Sequence, residues 1–256
     1  MKTWQEEFPD GKVDIMRYLR NPSWDPFFKQ LNIQILIAKI NEKLSEDVKS
    51  NTIIFPYPKL LFNTFNLLSF EDVSLIILGQ DPYFNFSKTD KVVTPVPEAV
   101  GMCFGGPHDA DTPPSLKNIY KNLEKYDHFK FKPKHGDLTF WNYQGCLLLN
   151  TGLTVEYGHA NSHAVYWEKL TSEFIKWISK EKTNLVFILW GNPALRKKLL
   201  IANQKNHKII VSSHPSGLSC HKKLGEYEAF NNQDHFGIAN TYLEQVGKNQ
   251  IIWQVL

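Results

Sequence analysis

The sequence predicts an α/β fold: a single-domain three-layer α/β/α arrangement around a central four-stranded, mostly parallel sheet. Two observations predict it. Four short apolar runs, at 75–79, 147–149, 185–190 and 209–211, are leucine-rich or β-branched, and each runs straight into polar turn residues. Uninterrupted apolar runs of that length read as strands buried on both faces, which is the character of a parallel sheet covered by helices. Between them lie stretches with helical periodicity and helix start and stop signals, the alternation that builds such a sheet.

The elements follow in order. Leu31, Ile35, Leu36, Ile40 and Leu44 form a helical stripe, expected to pack on the core within an N-terminal helical segment over 1–55. Pro58 opens a short helix through Phe65. Ser115 is placed to cap a helix ending near Tyr126, and Asn161 to cap one through Ile178, with Trp167, Leu170, Phe174 and Ile178 facing inward. Asn192 followed by Pro193 is a helix-start pair, because proline suits a first turn where its missing N–H is not needed. The last helix runs from Phe236 to Val246 and stops at Gly247.

The first strand ends in Gly79, Gln80, Asp81, Pro82 and Tyr83, the second in Asn150 and Thr151, the third in Gly191 and Asn192, and the fourth in Ser212, Ser213 and His214. Open α/β sheets collect reactive groups outside the carboxyl ends of their strands. Four strand ends therefore deliver polar groups to one edge. Taken singly each has a plain reading: an Asp after Gly-Gln is a turn former, an Asn can finish a strand, and a His before proline is an ordinary loop residue.

Composition sets the outer bounds. With 256 residues, 42% hydrophobic and 21% charged, the chain can bury one large α/β core, and no linker divides it. A net charge of +3 is too mild to announce nucleic acid, although Arg196-Lys197-Lys198 and His221-Lys222-Lys223 follow strand-end loops where they could meet phosphates. Cys103, Cys146 and Cys220 show no paired spacing and the N-terminus has no apolar signal core, so an intracellular, cytoplasmic location with reduced thiols is expected. No run reaches the roughly 20 apolar residues of a membrane span. His159 and His163 stand four apart, but the glutamate of a zincin motif is missing, and neither a metal nor another cofactor is expected.

The segments Gly-Gln-Asp-Pro-Tyr at 79–83, Leu-Leu-Leu-Asn-Thr-Gly-Leu-Thr-Val at 147–155, 189–198, and His-Pro-Ser-Gly-Leu-Ser at 214–219 resemble, in order, the signature segments of family-1 uracil-DNA glycosylases. Supporting stretches at 101–104, 113–116, 136–138, 160–163 and 239–253 are similar to that family as well, so the resemblance runs from about Pro56 to Trp253. It implies a DNA-repair hydrolase that flips uracil out of DNA, cleaves its N-glycosidic bond and leaves an abasic site.

The same resemblance implies the roles. Asp81 would position the attacking water and stabilise the sugar cation, and His214, as a neutral imidazole, would donate to the uracil oxygen that gathers charge. Asn150 would read the N3–H and O4 edge of uracil, Tyr83 would exclude the methyl of thymine, Phe104 would stack on the base and the Gln80 backbone would hold its edge. Ser115, Gly191, Asn192 and Ser216 would grip DNA phosphates, and Leu218 would wedge the base stack. The implied partners are single- or double-stranded DNA containing uracil and, as a candidate, an inhibitor protein that mimics DNA. The absence of a heptad or an obvious association surface points to a monomer.

Three positions depart from the family pattern. Phe84 stands where the family has histidine, the 85–100 connection looks long and carries Pro95 and Pro97, and Gly217 replaces a proline beside Leu218. Glycine there raises the cost of ordering the wedge. These departures keep open a weakly active glycosylase fold serving as a DNA-binding or replication-accessory module. A flavodoxin-like enzyme acting on a small nucleotide would explain the sheet but not Leu218 or Pro113-Pro114-Ser115.

Overall fold

The computed structural model describes residues 1–87 and 96–255. Six strands are numbered in chain order: β1 Ile54–Phe55, β2 Leu75–Gly79, β3 Cys146–Asn150, β4 Val155–Glu156, β5 Val186–Trp190 and β6 Lys208–Ser212. β2, β3, β5 and β6 form the expected four-stranded sheet in the order β3-β2-β5-β6, and every pairing in it is parallel. β1 and β4 pair separately and antiparallel, an element too short to leave a sequence pattern.

Alternation along the strands explains the three layers. Ile76, Leu78, Leu147, Leu149, Phe187 and Leu189 pack on one side with the helices Leu31–Lys49 and Ala164–Glu181. Leu75, Ile77, Cys146, Leu148, Val186 and Ile188 pack on the other with Pro114–Lys125 and His235–Gln245. Successive side chains of a strand point to opposite faces, so two covered faces demand a run with no polar position, which is what the strands show.

Three local expectations are corrected. In the helix Leu31–Lys49 the buried residues are Ile33, Ile37, Ile40, Leu44 and Val48, whereas Leu31 and Ile35 face solvent. That segment carries two apolar stripes, and the one that continues through all five turns covers the core. The Pro114–Lys125 helix begins two residues early, with Pro113 at its cap position and Ser115 inside its first turn. Likewise the helix after Asn161 starts at Ala164, and Asn161 sits in the preceding turn with φ +64°. The inward face Trp167, Leu170, Phe174 and Ile178 is as expected, and Trp167 anchors it by donating from Nε1 to Thr154 Oγ1 at 2.7 Å.

From β2 the chain crosses to β3 on one side, then returns past β2 to β5 on the other. Connections leaving β2 and β5 therefore diverge, opening a crevice at the carboxyl ends of the strands. Register brings the ends level: Gly79 pairs with Asn150, and Trp190 with Ser212.

Candidate active site

In that crevice lies a pocket of about 180 Å³ whose wall includes Asp81, Tyr83, Phe84, Phe104, Asn150 and His214. Gln80 and Ser115 also reach it. Gly191 and Asn192, in the helix after β5, and Ser216 and Leu218, in the loop after β6, are not part of that wall. Pockets for drug-sized ligands or nucleotide cofactors run to about 300–1,000 Å³, so this one admits a single small ring.

Asp81 follows β2 directly. The backbone N–H of Asn161 donates to its Oδ2, while Oδ1 is buried and has no hydrogen bond among the described residues. Burial pushes the carboxyl above the usual carboxylate range and the Asn161 amide pulls it back. A buried acceptor left partly unmatched at a cavity is a poor structural device and a good chemical one.

Asn150 ends β3 at 7% exposure, and no group among the described residues hydrogen-bonds its carboxamide. It lies over Gly79, where a Cβ would meet Asn150 Oδ1 at 2.2 Å. A donor and an acceptor are thus presented side by side to the pocket.

His214 is fixed in one tautomer. The Ser216 N–H donates to His214 Nδ1 at 3.1 Å, so in the neutral ring the proton sits on Nε2. Burial lowers its pKa to about 4, which keeps the ring neutral across the physiological range. Its side chain rests on Gly191, where a Cβ would come within 3.0 Å of His214 Cβ; Gly191 also has φ +84°, which favours glycine. Gly191 opens a helix of seven residues, Gly191–Lys197, with Asn192 exposed in its first turn.

Two rings form the remaining wall. Phe104 takes a left-handed backbone conformation at φ +62°, costly for an aromatic residue and typical of functional positions. Its ring meets His214 at 5.7 Å and Trp190 at 5.3 Å between centroids. Tyr83 donates its hydroxyl to the Phe104 carbonyl at 3.2 Å, tying the two residues together.

The framing loop at 214–220 is closed on itself. Ser216 and Ser219 share a hydroxyl hydrogen bond of 2.8 Å, and Ser219 Oγ donates to the His214 carbonyl at 3.1 Å. Leu218 stands out from it, 85% exposed. The turn is thus built without the proline that Gly217 replaces.

Phe84 lines the pocket and also packs on a small cluster of Phe55, Ala99 and Val155. The 85–100 connection has a paired stem: Phe86 bridges Pro97, and Ser87 N–H donates to the Val96 carbonyl at 2.7 Å. Pro95 lies outside the described residues. His159 and His163 do not converge on a common ligand. His163 is buried between Thr154 Oγ1 at 3.0 Å and Asp47 at 3.4 Å, whereas His159 is exposed and bonds the Tyr157 carbonyl.

Two contributors escaped the sequence reading. Gly152 leaves room for Asp81, since a Cβ there would meet Asp81 Oδ1 at 2.8 Å. Asn161 holds Asp81 through its backbone and Gln80 through its side chain. Both lie inside stretches that carried the family resemblance, at 147–155 and 160–163, and that location was the signal available.

The chain is similar to known proteins over most of its length. A sequence model described as Uracil DNA glycosylase superfamily matches residues 65–244. A uracil-DNA glycosylase of Campylobacter concisus is 41% identical over 91% of this chain and 94% of its own length. The crystal structure of mimivirus uracil-DNA glycosylase superposes with a TM-score of 0.92 at 36% identity, covering 100% of this chain and 94% of that one. A point variant of the mimivirus protein, solved in complex with UGI, gives 0.93 at the same identity, with 100% and 96% covered. With a family match across most of its length and relatives above a third identical, the chain belongs to the uracil DNA glycosylase superfamily.

Proposed function

We propose that this chain removes uracil from DNA by hydrolysing its N-glycosidic bond, with Asp81 and His214 on opposite sides of the scissile bond. As C1′–N1 breaks, positive charge develops on the sugar and negative charge on the base. The Asp81 carboxylate opposes the first and positions the water whose oxygen adds to C1′. His214 Nε2–H donates to the uracil oxygen that gathers the second, and a neutral donor suffices because no full proton need be given up. The products are uracil and an abasic site.

Recognition falls to Asn150, whose carboxamide complements the O4 and N3–H edge of uracil and mismatches cytosine. Tyr83, anchored to the Phe104 carbonyl, occupies the place a thymine methyl would need, and Phe104 stacks on the flipped ring. Ser115 at the pocket, with Gly191, Asn192 and Ser216 beyond it, are assigned to DNA phosphates, and Leu218 to the gap in the stack. An inhibitor protein that mimics DNA is a candidate partner, in keeping with the complex formed by the mimivirus relative. We take the acting species to be a monomer.

The observation that carries this reading is the convergence of Asp81, Asn150 and His214, from three different strand ends, on one pocket the size of a single ring. The test is release of labelled base from an oligonucleotide bearing one deoxyuridine, with chelator present and with thymine and cytosine controls. Release confined to uracil is expected. Binding of the oligonucleotide without release would favour the accessory-module reading.

A further inference from the structure

We propose that Asn161 is a positioning residue for Asp81: its left-handed backbone, latched by Gln80, aims its own N–H at the carboxylate. The inference rests on the reading of Asp81 as the reacting carboxylate. Three observations carry it. Asn161 adopts φ +64°, which asparagine tolerates far better than most residues. Its N–H donates to Asp81 Oδ2, and its side-chain Oδ1 accepts from Gln80 Nε2, so residues 80 and 81 are gripped by one amino acid.

The turn that carries Asn161 is itself braced. Gly158 N–H donates to the Phe84 carbonyl at 2.8 Å, Ser162 Oγ accepts from Glu156 N–H at 2.8 Å, and Ala164 N–H donates to the Asn161 carbonyl at 3.1 Å. Two residues on, buried His163 is itself tied through Nδ1 to Thr154 Oγ1 at 3.0 Å. Turn and carboxylate are therefore held from both sides. Displacing a reacting group by about 1 Å can cost a hundredfold in rate, so a rigid mount of this kind matters to catalysis.

Titratable groups near Asp81 come from three elements. His214 lies across the pocket; Glu168 from Ala164–Glu181, and Arg196 and Lys197 from Gly191–Lys197, line a second cavity of about 350 Å³ that also reaches Asp81. Lys197 is engaged by Glu168 at 3.6 Å and Ser172 Oγ at 3.2 Å. Among the described residues only the Asn161 amide hydrogen-bonds the carboxylate. Losing that donor raises the Asp81 pKa, and because the reaction needs the ionised form, the acid limb of the rate profile moves to higher pH.

The experiment compares single-turnover uracil release between pH 5 and 9 for the wild type, Asn161→Ala and Asn161→Gly, beside a carbon-13 NMR titration of the Asp81 carboxyl without DNA. Alanine resists the left-handed conformation and glycine accepts it. Asn161→Ala should be about ten-fold slower or more, with its acid limb and Asp81 titration moved upward. Asn161→Gly should lose about three-fold, with a smaller upward shift of the Asp81 titration than Asn161→Ala, because the backbone can keep its shape while the Gln80 latch is lost. An alanine variant that matches wild type in rate and titration, or a glycine variant that falls as far as alanine, would overturn the proposal. Should Asn161→Ala fail to fold, Gln80→Ala removes the latch alone; a smaller upward shift of the Asp81 titration supports the proposal and no shift refutes it. Wild-type protein that releases no uracil would refute the glycosylase reading while leaving the titration to decide the clamp.

Discussion

The two edges of the central sheet are built on opposite principles. At the amino ends of the strands several polar groups are matched: Lys182 Nζ donates to the carbonyls of Phe70 and Glu71 at 2.6 Å each, Lys248 Nζ to that of Asn184 at 2.9 Å, and His207 joins Ser179 O to the Leu185 N–H, although Asn142, which bonds the Cys146 carbonyl, keeps a buried Oδ1 without a partner among the described residues. At the carboxyl ends, among the described residues, Asp81 keeps a buried oxygen without a partner, Asn150 presents an unbonded carboxamide, Phe104 holds a costly backbone angle and Leu218 stands in solvent. The cleft at the matched edge, about 970 Å³, is several times larger than the 180 Å³ pocket at the unmatched one. Buried unmet atoms occur elsewhere too, on Asn122 and Asn142 for example, so what distinguishes the functional edge is an unmet carboxylate oxygen facing a pocket, not unmet capacity or volume alone.

The sharpest way to break that contrast is to match the unmatched edge. Asp81→Asn removes a buried carboxylate that burial already disfavours, while leaving an oxygen for the Asn161 amide. Uracil release is expected to fall by about 10³-fold. Thermal unfolding should move upward by a degree or two, roughly, as a desolvation cost disappears. Single-turnover rates and a melting curve check both; a variant both inactive and less stable would mean that Asp81 is a structural group.

Crowding the same edge comes next. Gly152→Ala would place a Cβ 2.8 Å from Asp81 Oδ1 and push the carboxylate off its mount. A loss of about 10² in rate is expected with substrate binding nearly intact, read as a fall in kcat at steady KM. An unaltered rate would show that Asp81 needs no such alignment.

At the opposite edge the same logic predicts damage of another kind. Lys182→Met keeps the aliphatic stem but leaves the Phe70 and Glu71 carbonyls without their donor. A loss of about 1–2 kcal/mol is expected, seen as a melting temperature lower by roughly 2–8 °C for a chain of this size. Uracil release should stay at the wild-type rate. A change in rate without a change in melting would dissolve the division between the edges.

The sheet itself was the more legible in sequence, because double-sided burial writes an uninterrupted apolar run, whereas the polar contacts of the amino-end edge had no sequence signal. Asp81, Asn150 and His214 could be named only through their joint order, since each alone looks like a turn residue. The Asn161 grip and the Gly152 clearance left no mark of their own: one acts through a backbone N–H that every non-proline residue carries, the other through an atom that is absent. The buried face of Leu31–Lys49 was misread because two apolar stripes coexist there, and only packing against the Ala164–Glu181 helix selects between them. Ser115 failed as a cap because Pro114, before it, already fits the first helical turn.

Phe84 tests the boundary between the two regimes, since it serves both. One side of its ring lines the pocket and another packs with Phe55, Ala99 and Val155, so apolar packing has taken a position at the unmatched edge. Phe84→His would add a polar nitrogen close to Asp81 at the expense of that packing. A net hydrogen bond to the attacking water, about 0.5–1.5 kcal/mol, corresponds to roughly a 2- to 12-fold faster release. Lost burial of part of one ring should cost about 1 kcal/mol of stability. Faster release with lower melting would show that this chain has exchanged some rate for a firmer pocket wall. Equal rates would show that Asp81 and its Asn161 mount already hold the water well enough that a further polar neighbour adds nothing.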